Sequence, residues 1–252
     1  MTYADLLPKV LAIAESASDA VLAIYQTDFA VDFKDDKSPI TAADIASHKI
    51  IVSGLAALTP DIPVLSEEGA QMPWSERQQW ARFWLIDPID GTRDFTQRTG
   101  EFTVNIALIE HGEPVLGVVT APALGEAFWG ARGEGAHKRE RNGVSHAIQV
   151  ATPGHVQRVV ASKNHLNSDT RAFIEQLGEH ELVQAGSSLK FCRIAEGRAD
   201  IYPRLGPTSE WDTGAAHAVL LAAGGSIRTL EGEPLRYGKE DVLNPFFVAA
   251  GG

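Results

Sequence analysis

From Asp5 onward the apolar positions Leu6, Val10, Ile13, Ala17, Val21 and Ile24 fall three or four apart. That spacing predicts an amphipathic helix that ends before Phe29. A second helix is expected after Ser38-Pro39-Ile40, with Thr41 as N-cap, Asp44 three positions on, and Ile45, Ile51, Leu55 and Leu58 as its buried stripe. Thr59-Pro60 stops it. The period then changes: Ile62 to Leu65 and Phe83 to Ile86 are short apolar runs that read as strands, each with acids at its C-terminal end. Phe102, Val104, Ile106 and Leu108 alternate with polar or small residues, and His111-Gly112-Glu113 turns the chain into Pro114 to Val119, an antiparallel hairpin. Glu126 to Gly130 adds a strand, and Gly133 to Gly143 reads as an exposed loop.

Thr152-Pro153-Gly154 breaks the chain. Beyond it the expected strands are Val156 to Ser162, Leu182 to Ala185, Asp200 to Pro203 and Ser226 to Leu230. The expected helices are Ser168 to Leu177, Ser187 to Glu196 and Thr213 to Ala223. Helices alternating with mixed strands indicate a layered α/β or α+β architecture, in two halves of residues 1–150 and 151–252.

Composition narrows the function. With 252 residues, 44% hydrophobic and 22% charged, the chain can bury a core and is not generally disordered. Lys and Arg number 22 against 33 Asp and Glu, a formal charge of −11, which argues against a counterion-releasing grip on nucleic acid. A cation would help such a protein hold an anionic ligand. The single Cys192 excludes an internal disulfide and a cysteine-based zinc site, fits a reducing compartment, and by itself reads as a small core residue. No run of about 18 apolar residues occurs, and the opening Met-Thr-Tyr-Ala-Asp lacks a basic region. The expectation is a cytoplasmic protein without a membrane span; peripheral contact with the inner face of the membrane is left open.

The chemistry concentrates in Trp84-Leu-Ile-Asp87-Pro88-Ile89-Asp90-Gly91-Thr92, where an apolar strand ends in two carboxylates flanking a proline. Pro88 has no donor N–H, so the chain is not expected to continue there as a central strand, and both acids can aim at one point. Leu65-Ser66-Glu67-Glu68 ends a second strand in acids, and Trp211-Asp212 precedes a helix that Asp212 could cap. Three oxygen-donor clusters without nearby Cys or His favour Mg²⁺ or Mn²⁺ over zinc. Two such ions about 3.5–4 Å apart could clamp a phosphate while one acidifies the attacking water. Singly, Asp212 is explained as a cap, Asp44 by the first turn of its helix, and Glu68 as solvated. Asp87 and Asp90 are not explained that way, because together they would repel each other without a cation. Ile89-Asp90-Gly91-Thr92 also resembles the Asp-x-Asp-Gly-Thr of haloacid-dehalogenase-type phosphatases, but Pro88 stands where their nucleophilic Asp is required.

Glu67-Glu68, Asp87-Pro-Ile-Asp90-Gly-Thr92 and Trp211-Asp212, in this order, resemble the lithium-sensitive, magnesium-dependent phosphatase superfamily that includes inositol monophosphatase and fructose-1,6-bisphosphatase. The likeness covers nearly the whole chain. Ser38-Pro-Ile-Thr-Ala-Ala-Asp44, Pro63 to Glu68, Gly100 to Ala107, Gly186 to Phe191 and Tyr202 to Pro207 are similar to the bacterial 3′(2′),5′-bisphosphate nucleotidases of the CysQ type.

The resemblance implies an α-β-α-β-α sandwich and removal of the 3′-phosphate of adenosine 3′,5′-bisphosphate, with its sulfated parent nucleotide as a further substrate and a place in sulfate assimilation. It implies two or three Mg²⁺ ions, or Mn²⁺, held by Glu67, Asp87, the carbonyl of Ile89, Asp90 and Asp212. Asp44 with Thr92 would orient and deprotonate the attacking water, with Glu67 and Asp90 also counted as catalytic. Glu67, Ile89, Asp90, Gly91, Thr92 and Asp212 would meet the substrate's phosphate. His165, Ser187, Lys190 and Arg204 would line the nucleotide pocket. The first half thus carries most metal ligands, and the second carries the nucleotide side and Asp212.

Gly186-Ser187-Ser188 before a helix offers backbone N–H groups to a phosphate, an independent reason for that side. Taken singly, Lys190 and Arg204 could be solvated or paired with acids, and His165 could be a surface loop residue. Arg93-Asp94 departs from the superfamily's usual residues after Thr92 and touches only local substrate contacts. The alternatives are an inositol-monophosphatase activity on the same scaffold and a catalytically silent metal and nucleotide sensor, which would be expected to lack the Asp44/Thr92 pair. Whether the chain works as monomer or homodimer is left open.

Overall fold

The computed structural model describes residues 1–33, 39–69, 72–152, 154–161 and 167–252. His165 therefore lies outside the described residues, as do Ser38, Pro153 and Ser162 of the segments named above. Helix α1 (Tyr3–Tyr25) opens on a reciprocal cap: the Thr2 hydroxyl accepts from the Asp5 N–H, and the Asp5 carboxylate accepts from the Thr2 N–H. The short strands β1 (Val31–Phe33) and β2 (Pro39–Thr41) pair antiparallel, and α2 (Ala42–Leu58) starts on Thr41 as anticipated.

Then follow β3 (Val64–Ser66), α3 (Trp74–Arg77), β4 (Arg82–Asp90), α4 (Thr92–Thr96), β5 (Thr103–Glu110), β6 (Glu113–Ala121), β7 (Glu126–Ala131), β8 (Gly135–Arg139) and β9 (Ser145–Ile148). The second half runs β10 (Gln157–Ala161), α5 (Ser168–Gln176), β11 (His180–Gln184), α6 (Leu189–Ala195), β12 (Ile201–Arg204), α7 (Glu210–Ala222), β13 (Ser226–Thr229) and β14 (Phe247–Ala250).

Strands β3 to β9 form a seven-stranded sheet in chain order, parallel only between β3 and β4. Strands β11-β10-β12-β14-β13 form a second sheet of five. Alternate residues of the first sheet feed different cores. Trp84, Ile86, Val104, Ile106 and Leu108 pack with α1 and α2, whereas Phe83, Leu85, Ala107 and Ile109 pack toward α6 and α7. Helices α6 and α7 also meet the five-stranded sheet, and α5 packs on its outer side through Ile174 against Val159 and Ala161. The layers are therefore α-β-α-β-α. Gly117 on β6 lets α7 lie close on the sheet: a Cβ there would come within 2.0 Å of the Ala215 carbonyl oxygen.

Several expectations are corrected. Ile51 and Leu55 of α2 are buried, but Ile45 is 46% exposed, and Asp44 and Ser47 take the inward positions. The first turn of α2 faces the end of β4, where the Ser47 hydroxyl donates to the Pro88 carbonyl at 2.8 Å. The supposed loop from Gly133 to Gly143 contains β8, because Lys138 is buried and bound to Glu126, Glu140 and Glu196 at 2.9, 3.1 and 2.8 Å. Strand β4 does run on through Pro88. Asp87 pairs with Asn105 and Asp90 with Thr103, so a bulge absorbs the missing N–H, beyond the point where β3 has ended. The α7 cap is Ser209; Asp212 is the third helical residue and accepts from the Ser209 N–H at 2.8 Å.

Candidate active site

Four element ends converge on one point. β3 delivers Glu67, the bulged end of β4 delivers Asp87 and Asp90, the first turn of α2 delivers Asp44, and the first turn of α7 delivers Asp212. Ligand oxygens of Glu67, Asp87 and Asp212 lie within 4.8 Å of one another. The Asp87 Oδ1 accepts from the Ile89 N–H at 3.1 Å, while its Oδ2 is buried with no hydrogen-bond partner among the described residues. A buried carboxylate oxygen without a donor, facing two other carboxylates, matches what a hard divalent cation requires of an all-oxygen site.

The acids show the strain of that crowding. Burial, then the charges of Glu67, Asp90 and Asp212, hold the Asp87 carboxyl well above the ordinary range. Burial and the neighbouring Asp90 push Asp212 up to about 8. Asp90 is also raised by burial, against the opposing pull of Lys190 and of a hydrogen bond from Ser188. A bound cation would reverse these shifts by favouring the charged forms.

Asp44 has a double use. Its Oδ2 accepts from the N–H and hydroxyl of Thr41, both at 2.7 Å, which closes the cap of α2. Its Oδ1 lies 3.5 Å from the Thr92 hydroxyl, which is also 3.3 Å from the Ile89 carbonyl. Burial raises the Asp44 carboxyl. The turn that brings Thr92 back needs Gly91: its φ is 89°, and a Cβ there would lie 2.1 Å from the Ser187 hydroxyl.

The side facing the acids is cationic. Lys190 of α6 is buried among Asp90, Arg204 and Asp94, its ammonium 5.7 Å from the centre of the Tyr202 ring, and burial lowers it to about 8. Arg204 at the end of β12 donates from Nη2 to the Pro207 carbonyl at 2.9 Å, and its Nε is buried without a partner among the described residues. The Ser187 hydroxyl is committed elsewhere, within 2.8 Å of the carbonyls of Asp90 and Glu101. A cavity of about 180 Å³ opens beside Glu67, with Met72 and Trp211 in its walls.

The side-chain roles of two residues in this arrangement were not read from the sequence, where Ser188 was named only for its backbone N–H. The Ser188 hydroxyl lies 3.0 Å from the Asp90 Oδ2 and 2.9 Å from the Asp212 carbonyl, and it accepts from the Asn105 side-chain amide at 3.0 Å. A readable signal existed for Asn105, since an amide in the middle of an apolar strand needs a partner. None existed for Ser188, whose contacts come from residues far away in sequence.

Comparison with known proteins agrees with this geometry. Residues 5–247 match the model of the inositol monophosphatase family. The chain is 49% identical over 247 residues to the 3′(2′),5′-bisphosphate nucleotidase CysQ of Escherichia coli K12, covering 96% of this chain and 98% of that one. It is 36% identical over 249 residues to the protein of the same name from Haemophilus influenzae, covering 98% and 93%. The crystal structure of CysQ from Bacteroides thetaiotaomicron superposes with a TM-score of 0.85 at 41% identity, over 96% of each chain. Inositol monophosphatase from Anabaena shares the fold, with a TM-score of 0.77 at 24% identity over 98% and 91% of the two chains. With its acids gathered at the ends of β3, β4 and α7 and its sequence matched over nearly its whole length, the chain belongs to the inositol monophosphatase family.

Proposed function

We propose that the protein is a Mg²⁺-dependent phosphatase that hydrolyses the 3′-phosphate of adenosine 3′,5′-bisphosphate to AMP and phosphate, in the cytoplasm. The observation that carries this reading is the two-sided site: acids that fit a hard cation on one wall, Lys190 and Arg204 on the other. A substrate with two phosphates needs both, since a second phosphate beside bare carboxylates would be repelled. The nucleotidase name borne by relatives 36% to 49% identical supports the choice of nucleotide.

Glu67, Asp87, the Ile89 carbonyl, Asp90 and Asp212 would hold Mg²⁺, with Mn²⁺ as a substitute. Bound there, the ions would supply positive charge to the phosphate and lower the pKa of the attacking water. Asp44 accepts from Thr92, so the Thr92 hydroxyl can in turn accept from the water and aim it at phosphorus while Asp44 takes up the proton. The 3.5 Å separation is loose, as such contacts are before substrate tightens them. Lys190 and Arg204 hold the phosphate that is not cleaved, and Gly91 keeps Thr92 close to Ile89. In this reading residues 1–150 carry most of the metal side and residues 151–252 the nucleotide side.

The test is phosphate release from adenosine 3′,5′-bisphosphate and from inositol 1-phosphate, with Mg²⁺ and with chelator. Fast, metal-dependent release from the nucleotide, abolished in a folded Asp90→Asn variant, is the expected result. A fully active Asp90→Asn would sink the site assignment, and preference for the inositol ester would keep the acid chemistry and discard the nucleotide.

A further inference from the structure

A larger cavity, of about 630 Å³, lies away from the acids, between the outer half of α7, the turn after β7, and the strand β13 with the loop that follows it. Its volume is within the range of small-molecule sites. Three guanidiniums stand at its rim. Arg132 and Arg236 each bind one oxygen of Glu113 at 2.5 Å, and Arg228 donates to the Gly232 carbonyl at 2.9 Å. Among the lining residues three cations stand against one carboxylate, in a chain whose total is −11. Leu221 and Ile227 supply an apolar wall.

The wall also carries His217, which is only 3% exposed. Its Nδ1 lies 2.9 Å from the Tyr237 hydroxyl oxygen. That hydroxyl donates to Thr213 at 3.1 Å, and the Thr213 hydroxyl donates to the Glu210 carbonyl at 3.1 Å. Because the Tyr237 proton is already used, the proton between the two rings sits on Nδ1, and Nε2 is left as a bare acceptor. Burial keeps the ring neutral, its pKa lowered to about 3. A complementary ligand would bring an N–H or O–H for Nε2, a flat or aliphatic body for Leu221 and Ile227, and a dianionic head for the arginines.

We propose that this cavity is a second ligand site, separate from the acid cluster, that takes a nucleoside monophosphate with its phosphate at Arg132, Arg228 and Arg236 and its base or ribose against His217.

Binding of AMP, adenosine and inorganic phosphate is measured by calorimetry in chelator, where the acid cluster repels phosphates and nothing turns over, so the outcome is independent of the reading of the active site. The expected result is saturable binding of one AMP, with adenosine and inorganic phosphate each at least tenfold weaker. AMP affinity should fall at least tenfold in Arg228→Glu and in Leu221→Trp, and stay unchanged in Lys190→Ala. Leu221 is 42% exposed, so the indole can occupy the cavity from its edge without disturbing the core, which guards against a variant that merely fails to fold. Absence of saturable binding would overturn the proposal. So would phosphate binding as well as AMP, or AMP binding that is lost in Lys190→Ala and kept in Arg228→Glu.

Discussion

At the scale of single residues, Ser188 joins parts of the site that come from distant segments. Its hydroxyl connects Asn105 of β5, the Asp90 carboxylate at the end of β4, and the backbone of Asp212 in α7. Both Ser188 and Asn105 are buried, so removing the hydroxyl leaves a buried amide, and the half-buried Asp90 carboxylate, each short of a partner. Groups that orient metal-binding carboxylates in this way are typically worth 10–100-fold in metal affinity, so the half-saturating Mg²⁺ for phosphate release should rise by roughly that factor in Ser188→Ala. The rate at saturating Mg²⁺ should change far less, because Ser188 does not reach the reacting atoms. A Mg²⁺ titration of activity separates the two, and a variant with an unshifted midpoint and a collapsed rate would assign Ser188 a different role.

At the scale of elements, α7 depends on a gap in the side chains of β6. The Cβ of Gly117→Ala would meet the Ala215 carbonyl oxygen, which is backbone and cannot swing aside, so the helix or the strand must shift. Overpacking of this kind costs about 1–3 kcal/mol, and in a chain of this size each kcal/mol lowers the melting temperature by roughly 2–4 °C. Calorimetric melting of Gly117→Ala should show that drop, and an unchanged transition would mean that α7 does not sit where the fold places it. The reading of the elements from sequence succeeded where the signal is local. Thr41 with Asp44 marked the start of α2, and His111-Gly112, both at positive φ, marked the hairpin between β5 and β6. Reading failed where burial is decided at a distance. Lys138 reads as exposed until Glu196, 58 residues on, is packed against it, and Ile45 reads as core until Asp44 is turned toward the end of β4. In the acid cluster, Asp87 and Asp90 announced themselves by their spacing, whereas Ser188 and Asn105 are 83 residues apart and meet only in the fold.

At the scale of the whole molecule, folding gathers carboxylates that the unfolded chain keeps apart. Glu67, Asp87, Asp90 and Asp212 come from segments up to 145 positions apart in sequence, counted from 67 to 212, and burial first, mutual repulsion second, raises the Asp87 and Asp212 carboxyls in the metal-free fold. An ion that binds the assembled cluster has nothing comparable to bind in the unfolded chain, so it stabilises the fold by mass action. At about 100 times its dissociation constant that linkage amounts to about 2.7 kcal/mol, which at roughly 2–4 °C per kcal/mol is a rise in melting temperature of about 5–10 °C over the protein in chelator. Asp87→Asn should remove most of the rise and, in chelator, should melt no lower than the parent chain, because it relieves one of the crowded charges while keeping the shape of the side chain. The comparison needs ionic strength matched with a monovalent salt, since a chain of net charge −11 gains stability from screening alone. An equal Mg²⁺ response in the parent and in Asp87→Asn would trace the effect to that diffuse charge and would take Asp87 out of the metal site.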